Sequence, residues 1–228
     1  MLKNRQGFIL FTLLAVPVFI YLLTRQACHH EFKWLEVITR EEKQADGTMI
    51  QKPWNIYDAY PNPGFLTQSG KQVSWNDLRG KTVIVDVIFT RCKGICPNLS
   101  AAMSGLHDRY FDDPNMRFLS ISVDPENDSV PVLVEYANRY HADPSRWIFL
   151  TGNKNEIFKF ANDVLYFSGM KDESGNLQMV HDQTLRLIDR DGFMRKDGNF
   201  IDGTRNRDIE RLHDEIKLLR LEYEQKEK

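Results

Sequence analysis

The stretch Val83-Ile84-Val85-Asp86-Val87-Ile88-Phe89 runs straight into Thr90-Arg91-Cys92-Lys93-Gly94-Ile95-Cys96-Pro97. Its first half is a near-continuous β-branched run, the pattern of a strand covered on both faces. A helix is predicted to follow, because Pro97 suits a first helical position and Leu99, Met103, Leu106 and Tyr110 recur at helical spacing until Asp112-Asp113-Pro114. Phe118 to Val123 then reads as a second buried strand and Val130 to Tyr140 as a helix entered at Ser129. Trp147 to Leu150 reads as a third strand and Glu156 to Tyr166 as a third helix. Gln178 to Val180 and Thr184 to Ile188 read as extended, the latter closed by the Asp191-Gly192 turn. Upstream, Phe65, Val73 and Leu78 are spaced by turn signals and predict a short hairpin. Strands alternating with helices predict an α/β layered fold. Ile209, Leu212, Ile216, Leu219 and Tyr223 form one face of an amphipathic helix over 206–228, too short for a coiled coil and read as packing on the domain. The pairs Glu222 to Lys226 and Glu224 to Lys228 fall outside that face.

Cys92 and Cys96 lie where a buried strand ends and a helix begins, the place in open α/β sheets where reactive groups collect. A helix N-terminus favours the thiolate, and Arg91 and Lys93 are expected to push the same way. With three intervening residues, including Gly94, both sulfurs can reach one metal ion or each other. Two bland readings compete: a pair of small buried hydrophobes, or an inert structural disulfide. Basic neighbours and the strand–helix junction favour reactive thiols over either. Neither a Gly-rich phosphate loop, nor a Ser-His-Asp set, nor an HExxH pattern occurs, so the chain carries no signature of a conventional enzyme.

The amino terminus is of another kind. Gly7 to Leu23 is uncharged, with Lys3 and Arg5 before it and Arg25 after it. A spanning helix needs about 20 apolar residues, and Thr24 with the stem of Arg25 extends the run, so 1–6 reads as a cytoplasmic leader and 7–24 as a transmembrane anchor. Bulky Tyr21, Leu22 and Leu23 leading into Thr24-Arg25 disfavour a cleaved signal peptide, and Arg25 suits a lipobox before Cys28 poorly. The Lys3 and Arg5 bias places the remaining chain outside, facing the oxidising periplasm of a bacterial inner membrane. Residues 25–54 read as a tether with one strand around Trp34 to Ile38, and Cys28-His29-His30 beside the membrane reads as a chance of composition. A net charge of -2 from 30 Lys+Arg against 32 Asp+Glu argues against a nucleic-acid partner.

The motif Cys92-Lys93-Gly94-Ile95-Cys96-Pro97 resembles the CxxxCP signature of the SCO/SenC family, which has a thioredoxin-like fold. Ser122-Val123-Asp124-Pro125-Glu126-Asn127-Asp128-Ser129 and Phe149-Leu150-Thr151-Gly152 resemble further family segments, as does Val180-His181-Asp182-Gln183-Thr184-Leu185-Arg186-Leu187-Ile188-Asp189-Arg190-Asp191-Gly192. The resemblance covers roughly 55–205 as the thioredoxin-like domain and implies His181 as a third metal ligand beside Cys92 and Cys96. At Val180 many members have Asp, so a supporting carboxylate is either missing or supplied by Asp182. Two thiolates suit Cu(I), and an added imidazole tolerates Cu(II). A structural zinc site normally takes four protein ligands, and His107, His141 and His213 sit in helical patterns instead. The resemblance implies a membrane-anchored copper chaperone for a respiratory terminal oxidase, with the copper-bearing subunit and a thiol reductant as partners. A thiol–disulfide oxidoreductase using Cys92 and Cys96 as a redox pair is the alternative.

Overall fold

The computed structural model describes Val16 and residues 34–61, 63–167, 169–171, 177–179 and 182–227. The expected anchor apart from Val16, Cys28-His29-His30 and His181 lie outside these residues. Among the described residues no helix is long and apolar enough to cross a membrane.

The strand that opens the reading, β5 (Thr82–Ile88), is buried at every position. Side chains alternate across a strand, so Val83, Val85 and Val87 enter one apolar cluster with Tyr57, Phe65, Trp75 and Phe160. Ile84 and Ile88 enter the other, with Leu99, Met103, Leu133, Leu212 and Ile216. Asp86 shares the parity of Ile84 and Ile88 and is 0% exposed. Parallel partners follow on one side: β6 (Met116–Ser122) pairs with β5, and β7 (Trp147–Thr151) with β6. On the other side β10 (Thr184–Ile188) runs antiparallel to β5, with Arg186 opposite Val85. The sheet is completed by β1 (Glu36–Val37), β4 (Leu66–Thr67), β11 (Met194–Lys196) and β12 (Ile201–Asp202), in the order β1-β11-β10-β5-β6-β7-β4 with β12 also on β10.

Three helices lie in the second cluster. In α2 (Ile95–Arg109), which follows the short α1 (Ile56–Ala59), Leu99, Met103 and Leu106 are buried. The helix α3 (Val130–Arg139) has Ser129 as its N-cap residue. The last helix, α5 (Asn206–Lys226), buries Leu212, Ile216, Leu219 and Tyr223. Each such apolar side chain contributes roughly 1.5–3 kcal/mol when fully buried, so packing on the sheet accounts for this face without a second copy. Glu222 pairs with Lys226 at 2.8 Å as expected but is not outside the face: Arg195 donates to Glu222 Oε2 at 2.5 Å and to Asp189 Oδ2 at 2.9 Å, joining α5 to the sheet.

The structure corrects or refines the sequence reading in four places. The strand expected around Trp34 to Ile38 is β1, but it pairs into the main sheet, and the rest of the segment read as a tether holds an unexpected hairpin of β2 (Thr39–Lys43) and β3 (Met49–Pro53). All ten hairpin residues are exposed, so they show no alternation of apolar and polar residues. The local signal is the turn at Asp46-Gly47, where Gly47 has φ 89° and Thr48 donates its N–H to Asp46 Oδ1 at 2.9 Å. The expected short hairpin is present, with Val73 N–H bonded to Phe65 O at 2.9 Å and Thr67 N–H to Lys71 O at 2.8 Å about the Leu66 to Gln72 bridge, and its first arm, β4, also pairs with β7. The third helix is α4 (Lys154–Lys159) followed by a wide turn, Phe160–Val164, that turns Phe160, Ala161 and Val164 inward. His141 lies beyond the end of α3 with φ 55°.

Candidate metal centre

Behind β5 the chain enters a loop held from below. Thr90 donates its N–H to Asp128 Oδ2 at 3.1 Å and its hydroxyl to Asp128 Oδ1 at 2.5 Å, while Ser122 Oγ also donates to Asp128. Asp128 is 0% exposed, so these are buried hydrogen bonds to one carboxylate. The ladder continues one step past the strands, with Val123 N–H bonded to Ile88 O at 2.8 Å. This fixes the approach to Cys92.

Helix α2 starts at Ile95, two residues before Pro97, with Gly94 as a cap residue that has no side chain to accept its first N–H groups. The Cys92 sulfur takes that part, receiving backbone hydrogen bonds from Cys96, Gly94 and Ile95. Burial pushes the Cys92 thiol up, but these hydrogen bonds and one from the Cys96 thiol outweigh it, and the net shift is downward. The lowering does not come from Arg91, whose guanidinium turns to Asp124 at 2.7 Å. Pro97, at the third helical position, lacks an N–H where none would be bonded within the helix.

Cys96 behaves oppositely. Burial pushes its thiol up to about 12, against a backbone hydrogen bond at Phe89, and the proximity of Cys92 and the charge of Asp86 add to the rise. Asp86 is itself pushed up to about 7 by burial, partly offset by the Ser120 hydroxyl donating to Oδ1 at 2.5 Å. Its Oδ2 has no hydrogen-bond partner among the described residues. Both cysteines are free and buried, with their side chains hydrogen-bonded to each other. Two soft sulfur donors at one helix terminus, one of them with its pKa lowered by hydrogen bonds, fit a soft metal ion and equally fit reversible disulfide formation.

Among the described residues no group of three or more His, Cys, Asp and Glu is arranged to hold a metal. His107 is buried in α2 against Phe111, Phe118 and Trp147, and His213 in α5 hydrogen-bonds Tyr110. His181 precedes described residues whose place is clear. Because β10 is antiparallel to β5, its start lies at the end of β5 that leads to Cys92. Asp182 accepts from Thr184 N–H at 2.8 Å and lies 3.5 Å from Arg186. Sequence reasoning passed over Asp86, Asp128 and Arg186. A carboxylate inside a β-branched run was a visible signal for Asp86; the other two act through partners distant in the chain.

Residues 63–217 match the profile of the SCO1/SenC family. The chain is 36% identical to the SCO1 protein homolog of Bacillus subtilis over 165 residues, 72% of this chain and 84% of that one. It is similar to the solved structure of BsSco, a member of the Sco family of cytochrome c oxidase assembly proteins in which a disulfide switch was identified, with TM-score 0.56 and 32% identity over 69% of this chain and 91% of that one. Copper-bound ScoI of Arabidopsis thaliana matches with TM-score 0.54 and 27% identity over 69% of this chain and 95% of that one. The profile spans most of the mixed α/β domain and both cysteines, and the chain belongs to the SCO1/SenC family.

Proposed function

We propose that this protein is a copper chaperone that binds one copper ion through the thiolates of Cys92 and Cys96 and the imidazole of His181, for copper-site assembly of a respiratory terminal oxidase. The observation that carries this is the pair of free thiols at the start of α2, in a chain whose family includes copper-bound members. Copper is the cargo: it is held by soft ligands and passed to the oxidase's copper-bearing subunit. The chain's own contribution is to ease loss of the Cys92 proton through three backbone N–H groups, and to bury Cys96 so that its proton leaves only when a metal or a second sulfur replaces it. Residues 7–24 anchor the protein in a bacterial inner membrane, the folded domain faces the periplasm, and a thiol reductant keeps the pair open.

The test is copper uptake by the reduced full chain. His181→Ala is expected to weaken copper binding about 10-fold or more, the size of effect typical of disturbing a metal site. Equal uptake by the variant would remove His181 from the ligand set.

The unequal thiols also support a second reading, a thiol–disulfide oxidoreductase. The Cys92 thiolate would attack a partner disulfide and release one partner thiolate, and Cys96 would then displace the second, leaving the Cys92–Cys96 disulfide and a reduced partner. Reduction of a partner disulfide by the metal-free protein, unchanged by His181→Ala, would favour this reading.

A further inference from the structure

After Phe167 the chain leaves the core, forms β8 (Gly169–Lys171) and β9 (Leu177–Met179), and rejoins the main sheet at Thr184. The returning foot is tied to β12, with Gly203 N–H donating to Gln183 O at 2.8 Å and Gln183 Nε2 to Asp202 Oδ2 at 2.7 Å, and one guanidinium joins it to the outgoing foot. Arg186 is 1% exposed. On the outgoing foot its Nε donates to Leu165 O at 2.8 Å and its Nη2 to Tyr166 O at 2.8 Å. On the returning foot Nη1 donates to Thr184 Oγ1, and Nη2 lies 3.5 Å from Asp182 Oδ2. Its plane is clasped by aromatic rings, with Cζ 4.0 Å from the Phe167 centroid and 3.7 Å from that of Phe200.

A buried arginine usually answers a carboxylate at close range. Here the shortest contacts are carbonyl and hydroxyl oxygens, so the cation serves as a junction between two chain segments more than as half of an ion pair. A planar fork with five N–H groups can join several acceptors in one fixed geometry, which an ammonium cannot. The foot it fixes enters β10 at the end of β5 that leads to Cys92.

We propose that Arg186 is the positioning residue for His181: by clamping Leu165, Tyr166, Asp182 and Thr184 to one cation, it sets where the chain returns to the cysteine corner. The inference rests on His181 as a ligand, as proposed above. Positioning groups behind a metal ligand typically account for about 10–100-fold in affinity.

The test compares copper binding by the reduced full chain in the wild type, Arg186→Met, Arg186→Lys, His181→Ala and the double variant His181→Ala/Arg186→Met, by competition with a chromophoric Cu(I) chelator and by the Cu(II) absorption spectrum. Arg186→Met is expected to weaken copper by about 10-fold or more and to change the spectrum, with partial recovery in Arg186→Lys. In the His181→Ala background Arg186→Met is expected to have no further effect on copper, since its influence passes through that ligand. In metal-free protein, amide exchange at Thr184 should quicken while the rate of Cys92 alkylation stays unchanged. Wild-type affinity in either Arg186 variant, or equal weakening with and without His181, overturns the inference. Unaltered copper binding in His181→Ala overturns the ligand assignment first and this inference with it. If Arg186→Met does not fold, Arg186→Lys with wild-type affinity and spectrum is the overturning result, and weakened binding with unchanged Cys92 alkylation the supporting one.

Discussion

At the cysteine corner the approach of the chain is held by strand pairing and one buried carboxylate, whereas at the foot before β10 strand pairing to β12 is joined by a buried cation that ties the foot to the outgoing chain. The parallel pairing of β5 and β6 continues past the strands to Val123 N–H and Ile88 O, and Asp128 bonds the Thr90 N–H and hydroxyl. The Cys92 sulfur is then met by three N–H groups of the turn into α2. The returning foot is also paired, with Thr184 opposite Asp202 of β12 and Gly203 N–H bonded to Gln183 O at 2.8 Å, but it meets the outgoing chain, through Asp182 and Thr184, at the Arg186 guanidinium. Reactive sulfurs placed by a ladder and a helix terminus come with the fold. The excursion before β10 has an added support in a buried cation, which in our proposal places His181.

The comparison breaks most directly at Asp128. Asp128→Ala leaves the Thr90 N–H and the Thr90 and Ser122 hydroxyls without their acceptor. At about 1–3 kcal/mol for each buried group left unsatisfied, a loss of at least about 3 kcal/mol is expected in denaturant unfolding of the metal-free protein. Slower Cys92 alkylation should accompany it, because the sulfur then loses its fixed place against the turn.

The next effect is one of pH. The folded Asp86 carboxyl is raised from 3.8 to about 7 by burial, with Ser120 opposing. Below about pH 4 both folded and unfolded chains hold the proton, so the group contributes nothing there. Between there and pH 7 the unfolded chain releases it and the folded chain keeps it, so stability falls as pH rises through this window. Asp86→Asn should remove that slope, seen as a stability gain over the wild type that is larger at pH 8 than at pH 4. A wild-type slope unchanged by the substitution would contradict the placement of this charge.

The smallest effect separates the sulfurs. Alkylation of the reduced protein should modify Cys92 first and at a pH below that of an ordinary thiol, while Cys96, pushed up to about 12, stays protected. Arg91→Ala should leave the Cys92 rate unchanged and cost under about 1 kcal/mol, since Arg91 is an exposed partner of Asp124. Slowing by this substitution would restore the basic side chain as the source of the lowered pKa.

What could be read from the sequence follows from where information is local. The β-branched run of β5 and the three-and-four spacing of Leu212, Ile216 and Leu219 announce burial through periodicity, and Ser129 marks the entry to α3. Thr184 to Ile188 was legible in full as β10. The hairpin at Thr39–Lys43 and Met49–Pro53 has no buried face to leave a pattern. Cys92 and Cys96 stood out as paired thiols at a strand end, but their opposite titration depends on which sulfur meets the N–H groups and which lies near Asp86. Asp128 reaches Thr90 across 38 positions, and Arg186 reaches Leu165 across 21, so neither role shows before the chain is folded.

The central claim is a copper ion shared between the cysteine corner and His181, and X-ray absorption of the reduced full chain loaded with one equivalent of copper tests it most directly. One tightly held copper per chain with two sulfur neighbours and a nitrogen neighbour is expected, the nitrogen vanishing in His181→Ala and the sulfurs in Cys92→Ser/Cys96→Ser. Copper bound with no sulfur neighbours, or a coordination unchanged in these variants, would contradict it.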